Sequence, residues 1–216
     1  MLIYHQAHSE FLLETASGYR ILTDPFDAHV GYPMQNVQCD AVTVSHGHGD
    51  HSYIAKAQGV QTILDKPGRF TPAPGVTVYG IPSYHDDRQG ALRGGNIIFI
   101  LETDDLRIAH FGDLGAWDDA LLRQLQGIDI ALLPVGGHFT ISAGQAARLI
   151  AALRPRMVIP MHYSTQANAD WPIQPLDECL QALGCPGAPK MPLLRVTRED
   201  LSEQPACVIL NDRVNG

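Results

Sequence analysis

Cysteine is scarce in this chain and never clustered. Cys39, Cys179, Cys185 and Cys207 stand apart and form no C-x-x-C pair. That pattern fits reduced, mostly buried thiols of a cytoplasmic protein; a Cys179–Cys185 bridge has nothing to support it. At 216 residues the chain buries enough surface to fold without disulfide staples. Long apolar runs are also missing: none approaches the roughly 18 residues that cross a bilayer. The N-terminus, MLIYHQAHSEFLLET, has no basic segment followed by a long apolar core, so no signal peptide is expected. Basic residues are in deficit, 15 Lys and Arg against 23 Asp and Glu, for a net charge of -8. No Lys/Arg-rich run offsets this locally, so nucleic acid and anionic lipid are poor partners. Low-complexity segments, short repeats and linkers are absent. With 45% hydrophobic and 18% charged residues, one globular domain over 1–216 is expected.

The first third reads as strands: Leu2–Gln6, Glu10–Thr15 and Tyr19–Thr23, with Ser17-Gly18 as a hairpin turn, then Ala41–Ser45 after a Pro/Gly-bearing loop. Gln61–Leu64, Val76–Ile81, Asn96–Leu101 and Leu106–Ala109 continue the strand pattern. Helices enter later. Ser142–Leu153 is the clearest, with Ala146, Leu149, Ile150 and Leu153 on one face, Ser142 as cap and Arg154-Pro155 at the stop. Trp117–Gln126 and Pro175–Leu183 are further helices, alternating with strands Ile128–Pro134 and Met157–Met161. Short strands near Leu193–Val196 and Cys207–Leu210 close the chain. Hairpins mixed with strand–loop–helix units make an α/β (α+β) fold.

Histidine is present in excess: ten in 216 residues. Three of them, His46, His48 and His51, fall in Ser45-His46-Gly47-His48-Gly49-Asp50-His51, forming a complete H-x-H-x-D-H. Histidine and carboxylate are the usual zinc ligands outside cysteine sites. His46 and His48, two apart, can point the same way from an extended turn, while Asp50 and His51 face a neighbouring position. The pattern suits two metals side by side. Gly47 and Gly49 are expected to supply positive φ angles for a tight ligand loop.

More candidates follow apolar strand-like runs: His85 after Val76–Ile81, His110 and Asp113 after Leu106–Ala109, His138 after Ile128–Pro134, and His162 after Met157–Met161. Open α/β sheets place their sites beyond the carboxyl ends of strands. Polar groups delivered by several strands to one edge are what a metal cleft needs.

In these residues the chain resembles the metallo-β-lactamase-fold hydrolases. The narrower likeness is to the small bacterial branch that includes ascorbate-6-phosphate lactonase and uncharacterised zinc-dependent hydrolases, through Ala7-His8-Ser9, Thr23-Asp24-Pro25-Phe26, His110-Phe111-Gly112-Asp113 and Pro134-Val135-Gly136-Gly137. The resemblance implies a four-layer αββα sandwich with a two-metal site along one edge. It implies that His46, His48 and His85 hold one metal, that Asp50, His51 and His162 hold the other, and that Asp113 bridges both. His110 is the rival of His85 for the first metal. Asp24 matches an early acid that supports the site. His48 stands where redox di-iron relatives carry an acid, which argues against oxygen or NO reduction. Asp113 stands where true β-lactamases usually carry cysteine, which argues against antibiotic hydrolysis.

The expected function is a hydrolase with two Zn²⁺ ions sharing a bridging hydroxide, cleaving a small ester, lactone or phosphodiester of anionic character. Mn²⁺ and Fe²⁺ also suit the donor set. The candidate catalytic residues are Asp50, itself one of the ligands, with His138 and His110 beyond the ligand set, the histidines as proton donors or substrate contacts. A phosphodiesterase acting on a nucleotide or lipid, and a non-catalytic metal-binding scaffold, are the alternatives. Substrate identity rests on the loops Asp27–Asp40, Asp86–Gly95, Gly136–Ile141 and Thr165–Pro175, which carry no legible motif.

Overall fold

The computed structural model describes residues 1–213; the last three positions of the expected 1–216 domain lie outside the described residues. Two mixed sheets form its centre. In the first, the strands Leu194–Arg195, Leu2–Ala7, Glu10–Glu14, Arg20–Thr23, Ala41–Thr43 and Thr62–Leu64 lie side by side in that order. The first four pair antiparallel and the last joins are parallel. The second sheet runs Ala206–Cys207, Met157–Met161, Ile130–Pro134, Leu106–His110, Gly95–Thr103, Val76–Tyr84 and Gly68–Ala73. Its first four strands are parallel and the rest antiparallel.

Alternation along each strand sorts the side chains into layers. Phe11, Leu13 and Ile21 face the second sheet and meet Val78, Phe99, Leu101, Ile108 and Ile130 in the central core. Their neighbours Leu12, Leu22 and Val42 turn outward beneath Val37, Cys39, Ile54 and Val60. Ile98, Ile100, Ala131 and Leu133 turn outward from the second sheet beneath the helices Asp119–Gln124, Ala143–Leu153 and Leu176–Ala182. The architecture is the four-layer αββα sandwich. Its outer layer over the first sheet is thin, built from the short helix Gly49–Ser52, the 3-10 turn Ile54–Lys56 and loops.

Local chemistry explains the element ends. Ser142 accepts the Gln145 N–H while the Gln145 side chain returns to the Ser142 backbone, a full capping box for Ala143–Leu153. The strand Gly68–Ala73 was not expected, because GRFTPA carries both Gly and Pro. It is an edge strand, where proline's missing N–H costs no ladder bond. No helix among the described residues is long and apolar enough to cross a membrane. The described cysteines are all free, with Cys39 and Cys179 buried.

Three strands end in the same way. His8, Asp24 and His162 each directly follow a strand, and each takes a left-handed backbone, with φ of 55°, 42° and 55°. Such a conformation costs a non-glycine residue on the order of 1–2 kcal/mol. It turns these polar side chains off the sheet edge, to where the H-x-H-x-D-H loop lies.

Candidate metal centre

The motif loop follows the buried strand Ala41–Thr43. His46 and His48 project from its extended part, and the one-turn helix Gly49–Ser52 carries Asp50 and His51. Its glycines act differently from the expectation. Neither Gly47 nor Gly49 has a positive φ. Gly49 leaves room instead for the Asp27 side chain, whose Oδ2 a Cβ there would meet at 2.5 Å and have to displace.

The side chains gather into two groups. The ligating atoms of His46, His48 and His85 lie within 4.8 Å of one another, and so do those of His8, Asp50, His51 and His162. Asp113 stands between them. Its Oδ2 is 3.2 Å from His85 Nε2, 3.4 Å from His162 Nε2 and 3.9 Å from His46 Nε2, while Oδ1 is 3.2 Å from His51 Nε2. One carboxylate thus touches both groups. His8, outside the ligand set that the resemblance implies, joins the second group, with Nε2 3.3 Å from Asp50 Oδ2.

Neighbouring groups fix these rings. The buried Asp24 accepts the Ser45 N–H at 2.8 Å, the Ser45 hydroxyl, and His51 Nδ1–H at 2.8 Å. That contact leaves His51 Nε2 facing the cluster. Ser45 Oγ also lies 2.9 Å from His46 Nδ1. Asn96 was not anticipated. Its Oδ1 accepts the Asp113 N–H at 2.9 Å while its amide donates to Ser83 Oγ and the Phe111 carbonyl. Gly112, at φ 53°, packs so closely on Asn96 and Ser45 that any side chain would collide. Sequence reading had no local signal for Asn96, which sits inside a strand-like run.

Two expected catalytic histidines are placed elsewhere. His110 is still within its strand, and its ring is buried: Nε2–H donates to the Ser9 carbonyl at 2.8 Å and Nδ1 accepts the Gly112 N–H at 3.2 Å. With both nitrogens occupied it is neither a rival for the first metal nor a proton donor to substrate; it ties the two sheets together. His138 is exposed, at φ 57°, and packs edge-on against Phe139. It makes no hydrogen bond or ion pair to the cluster among the described residues.

The Beta-lactamase superfamily domain model matches residues 2–162, most of the chain and the whole site. The chain belongs to the metallo-β-lactamase superfamily. A UPF0173 metal-dependent hydrolase from Thermococcus kodakarensis is 35% identical, covering 76% of this chain and 83% of its own length. A Pyrococcus abyssi relative of the same group is also 35% identical, with the same coverage. A Thermotoga maritima structure of this superfamily superposes with a TM-score of 0.77 at 30% identity over 97% of both chains. These relatives place the chain among the UPF0173 metal-dependent hydrolases. The narrower likeness to the ascorbate-6-phosphate lactonase branch gives way to that group.

In this superfamily member the donor set fits metal ions by its own unsatisfied atoms. His51 Nε2, His162 Nε2 and Asp113 Oδ1 are buried without a hydrogen-bond partner, although His51 Nε2 and Asp113 Oδ1 are 3.2 Å apart. Buried polar atoms left this way are rare unless an ion completes them. Charge is arranged to match. Burial opposes ionisation of Asp113, but His162 and His51 outweigh it and hold the carboxyl well below the usual range. Asp50 is lowered in the same way by His51 and His8. Burial would lower His51 too, yet Asp113 and Asp50 raise it well above the ordinary histidine value. His46 and His8 go the other way, pushed down by burial to about 3 and about 4.

The raised value of His51 favours the protonated ring when no metal is bound, whereas coordination through Nε2 needs the neutral ring. Metal binding therefore expels a proton, and apparent affinity rises with pH. Zinc titration of metal-free protein at pH 7 by calorimetry, in two buffers of different ionisation heat, should show at least about one proton released per chain. Equal heats in both buffers would contradict the charge state of His51.

A cavity of about 450 Å³ opens above the cluster. His48, Asp50, His85 and Asp113 form its floor, while His29, Arg93, Phe139 and Trp171 form its wall. Each wall residue comes from a different one of the four loops that carried no sequence motif. The Asp86–Gly94 loop is organised by Asp86, whose carboxylate accepts the N–H groups of Arg88, Gly90, Leu92 and Arg93 at 2.8–2.9 Å. Burial raises this carboxyl, but those donors outweigh it and hold it at about 2. Asp86→Ala should speed amide hydrogen exchange at Arg88–Arg93 while exchange in the central strands stays unchanged. Unchanged exchange in the loop would show that Asp86 does not hold it.

Proposed function

We propose that this UPF0173 member is a hydrolase that uses two zinc ions to cleave a small ester, lactone or phosphodiester. The observation that carries the reading is Asp113, whose two oxygens reach both histidine groups. In this reading His46, His48 and His85 hold one ion, Asp50, His51 and His162 the other, and Asp113 both. A metal pair held there supplies a water of lowered pKa and positive charge for the substrate oxygen.

The chain's own groups prepare that chemistry. Asp24 and Ser45 lock the rings of His51 and His46, so the donors need no rearrangement when substrate arrives. Asn96 fixes the backbone at Asp113. Asp50 lines the cavity as well as meeting His8 and His51. In this reading it stays ionised, offsets part of the metal charge and orients the attacking water by accepting a hydrogen bond from it.

The test is metal content by inductively coupled plasma mass spectrometry, alongside hydrolysis of bis-p-nitrophenyl phosphate and simple lactones. About two metals per chain, with turnover lost to chelator and restored by zinc, is the expected result. Absence of metal uptake under any condition would remove the assignment of every ligand from His46 to His162.

A further inference from the structure

The wall of the cavity differs in character from its floor. Phe139 and Trp171 meet at 6.0 Å between ring centroids, tilted 78°. Trp171 is held from behind by His8, edge-on at 5.4 Å. One cation stands beside this aromatic pair. The Arg93 guanidinium carbon lies 5.8 Å from the Phe139 ring centroid, and no carboxylate among the described residues forms an ion pair with it.

The backbone that carries Arg93 is fixed from both sides. Its own N–H is one of the four that Asp86 collects. The next residue, Gly94, accepts the His85 N–H at 3.1 Å. The wall cation is thereby joined through one peptide unit to a floor residue. The loop manages this tight path with Gly90 and Gly94 at φ 82° and 90°. A half-buried guanidinium with a free donor fork, carried on a fixed stretch of backbone, is suited to a carboxylate or similar planar anion. Elsewhere the chain is acidic, with net charge -8, and the exposed Asp170 lies on the same wall. Arg93 is thus the favourable place on the wall for a negative group.

We infer that Arg93 determines substrate specificity, and that the substrate is a small molecule with a flat apolar body and an acid group remote from the bond cleaved. The flat body lies against Trp171 and Phe139, the acid group pairs with Arg93, and the reacting bond reaches the floor. This inference rests on the hydrolase reading for the position of the bond, but not for recognition of the acid.

The test is calorimetric binding of 4-hydroxybenzoate and its neutral isostere 4-hydroxybenzamide to zinc-loaded protein, wild type against Arg93→Met and Arg93→Lys. Wild type should bind the acid about tenfold more tightly than the amide. Arg93→Met should bring the two within about twofold while leaving amide affinity unchanged, and Arg93→Lys should keep part of the preference. Equal binding by wild type, binding of neither compound, or a preference that survives Arg93→Met would overturn the inference; the last would put the acid on the metals. Bis-p-nitrophenyl phosphate turnover by the same wild-type preparation separates the two readings. No turnover with an intact Arg93-dependent preference removes the hydrolase reading and leaves the recognition site standing.

Discussion

Asp113→Asn should lower turnover on the order of a thousandfold and bring metal content to one ion per chain or fewer. The change removes one charge and almost no volume. It replaces an anion shared by His85, His162 and His51 with a neutral amide. One face of that amide is a donor, and a donor cannot ligate. The two cations would then lose the negative group between them and repel each other more strongly. Asp24→Asn provides the internal comparison. Asp24 touches His51 Nδ1 and Ser45, on the far side of the ring from the cluster. Its loss should weaken metal binding by about 10–100-fold without changing stoichiometry at saturating zinc. Metal content by mass spectrometry and steady-state hydrolysis measure both. An Asp113→Asn protein that still holds two ions at wild-type affinity would show that Asp113 does not join the sites. Far-UV circular dichroism of each variant checks that the fold is kept.

Legibility of the site in the sequence depended on whether a residue's role was local. The motif His46–His51 carries its chemistry within one turn of chain, so it could be read directly. His85, Asp113 and His162 could be read because each comes after an apolar run, and strands of these sheets end at one edge. The same signal could not separate His110 and His138 from them. His110 is the last residue of its strand and is still paired with Phe99, which directs its ring at the Ser9 carbonyl of the other sheet. His138 comes after Gly137 at φ 70°, which swings it to the surface. No composition or spacing distinguishes those outcomes. His8, Asn96 and Arg93 were missed for the opposite reason. Each acts on residues 15 or more positions away or across a loop, and each sits in a stretch with no pattern of its own. The strands of the fold were more legible, since runs such as Phe11–Leu13 and Ile98–Leu101 are apolar without a break, as strands buried on both faces are. The Gly68–Ala73 edge strand has too little apolar content to show it.

Lys56→Met should destabilise the protein by about 3–5 kcal/mol, the cost of stranding a buried charge. Lys56 Nζ lies 2.7 Å from Glu10 Oε2, and both side chains are almost fully buried. The ammonium also sits 3.5 Å from the Phe26 ring centroid, and the Phe26 N–H donates to the same Glu10 oxygen at 3.2 Å. Glu10 Oε1 has no partner at all. This pair lies under the Asp24–Phe26 turn, so it supports from below the residue that orients His51. Burial already pushes the Glu10 carboxyl up from 4.5 to about 7, with Lys56 pulling the other way. An acid raised on folding favours the folded state fully below its unfolded value, and that contribution is lost as pH rises through the folded value. Removing Lys56 removes the opposing pull and moves the folded value higher still. The loss in Lys56→Met should therefore be smaller near pH 5, where Glu10 can take up a proton, and larger near pH 8, still growing until pH passes the raised folded value. Urea denaturation at the two pH values measures it. Adding Glu10→Gln should recover most of the loss at pH 8, because an amide keeps an acceptor for the Phe26 N–H without a charge to bury. A loss that is the same at both pH values, and unrelieved by Glu10→Gln, would assign the effect to lost packing against Phe26 instead of to the stranded carboxylate.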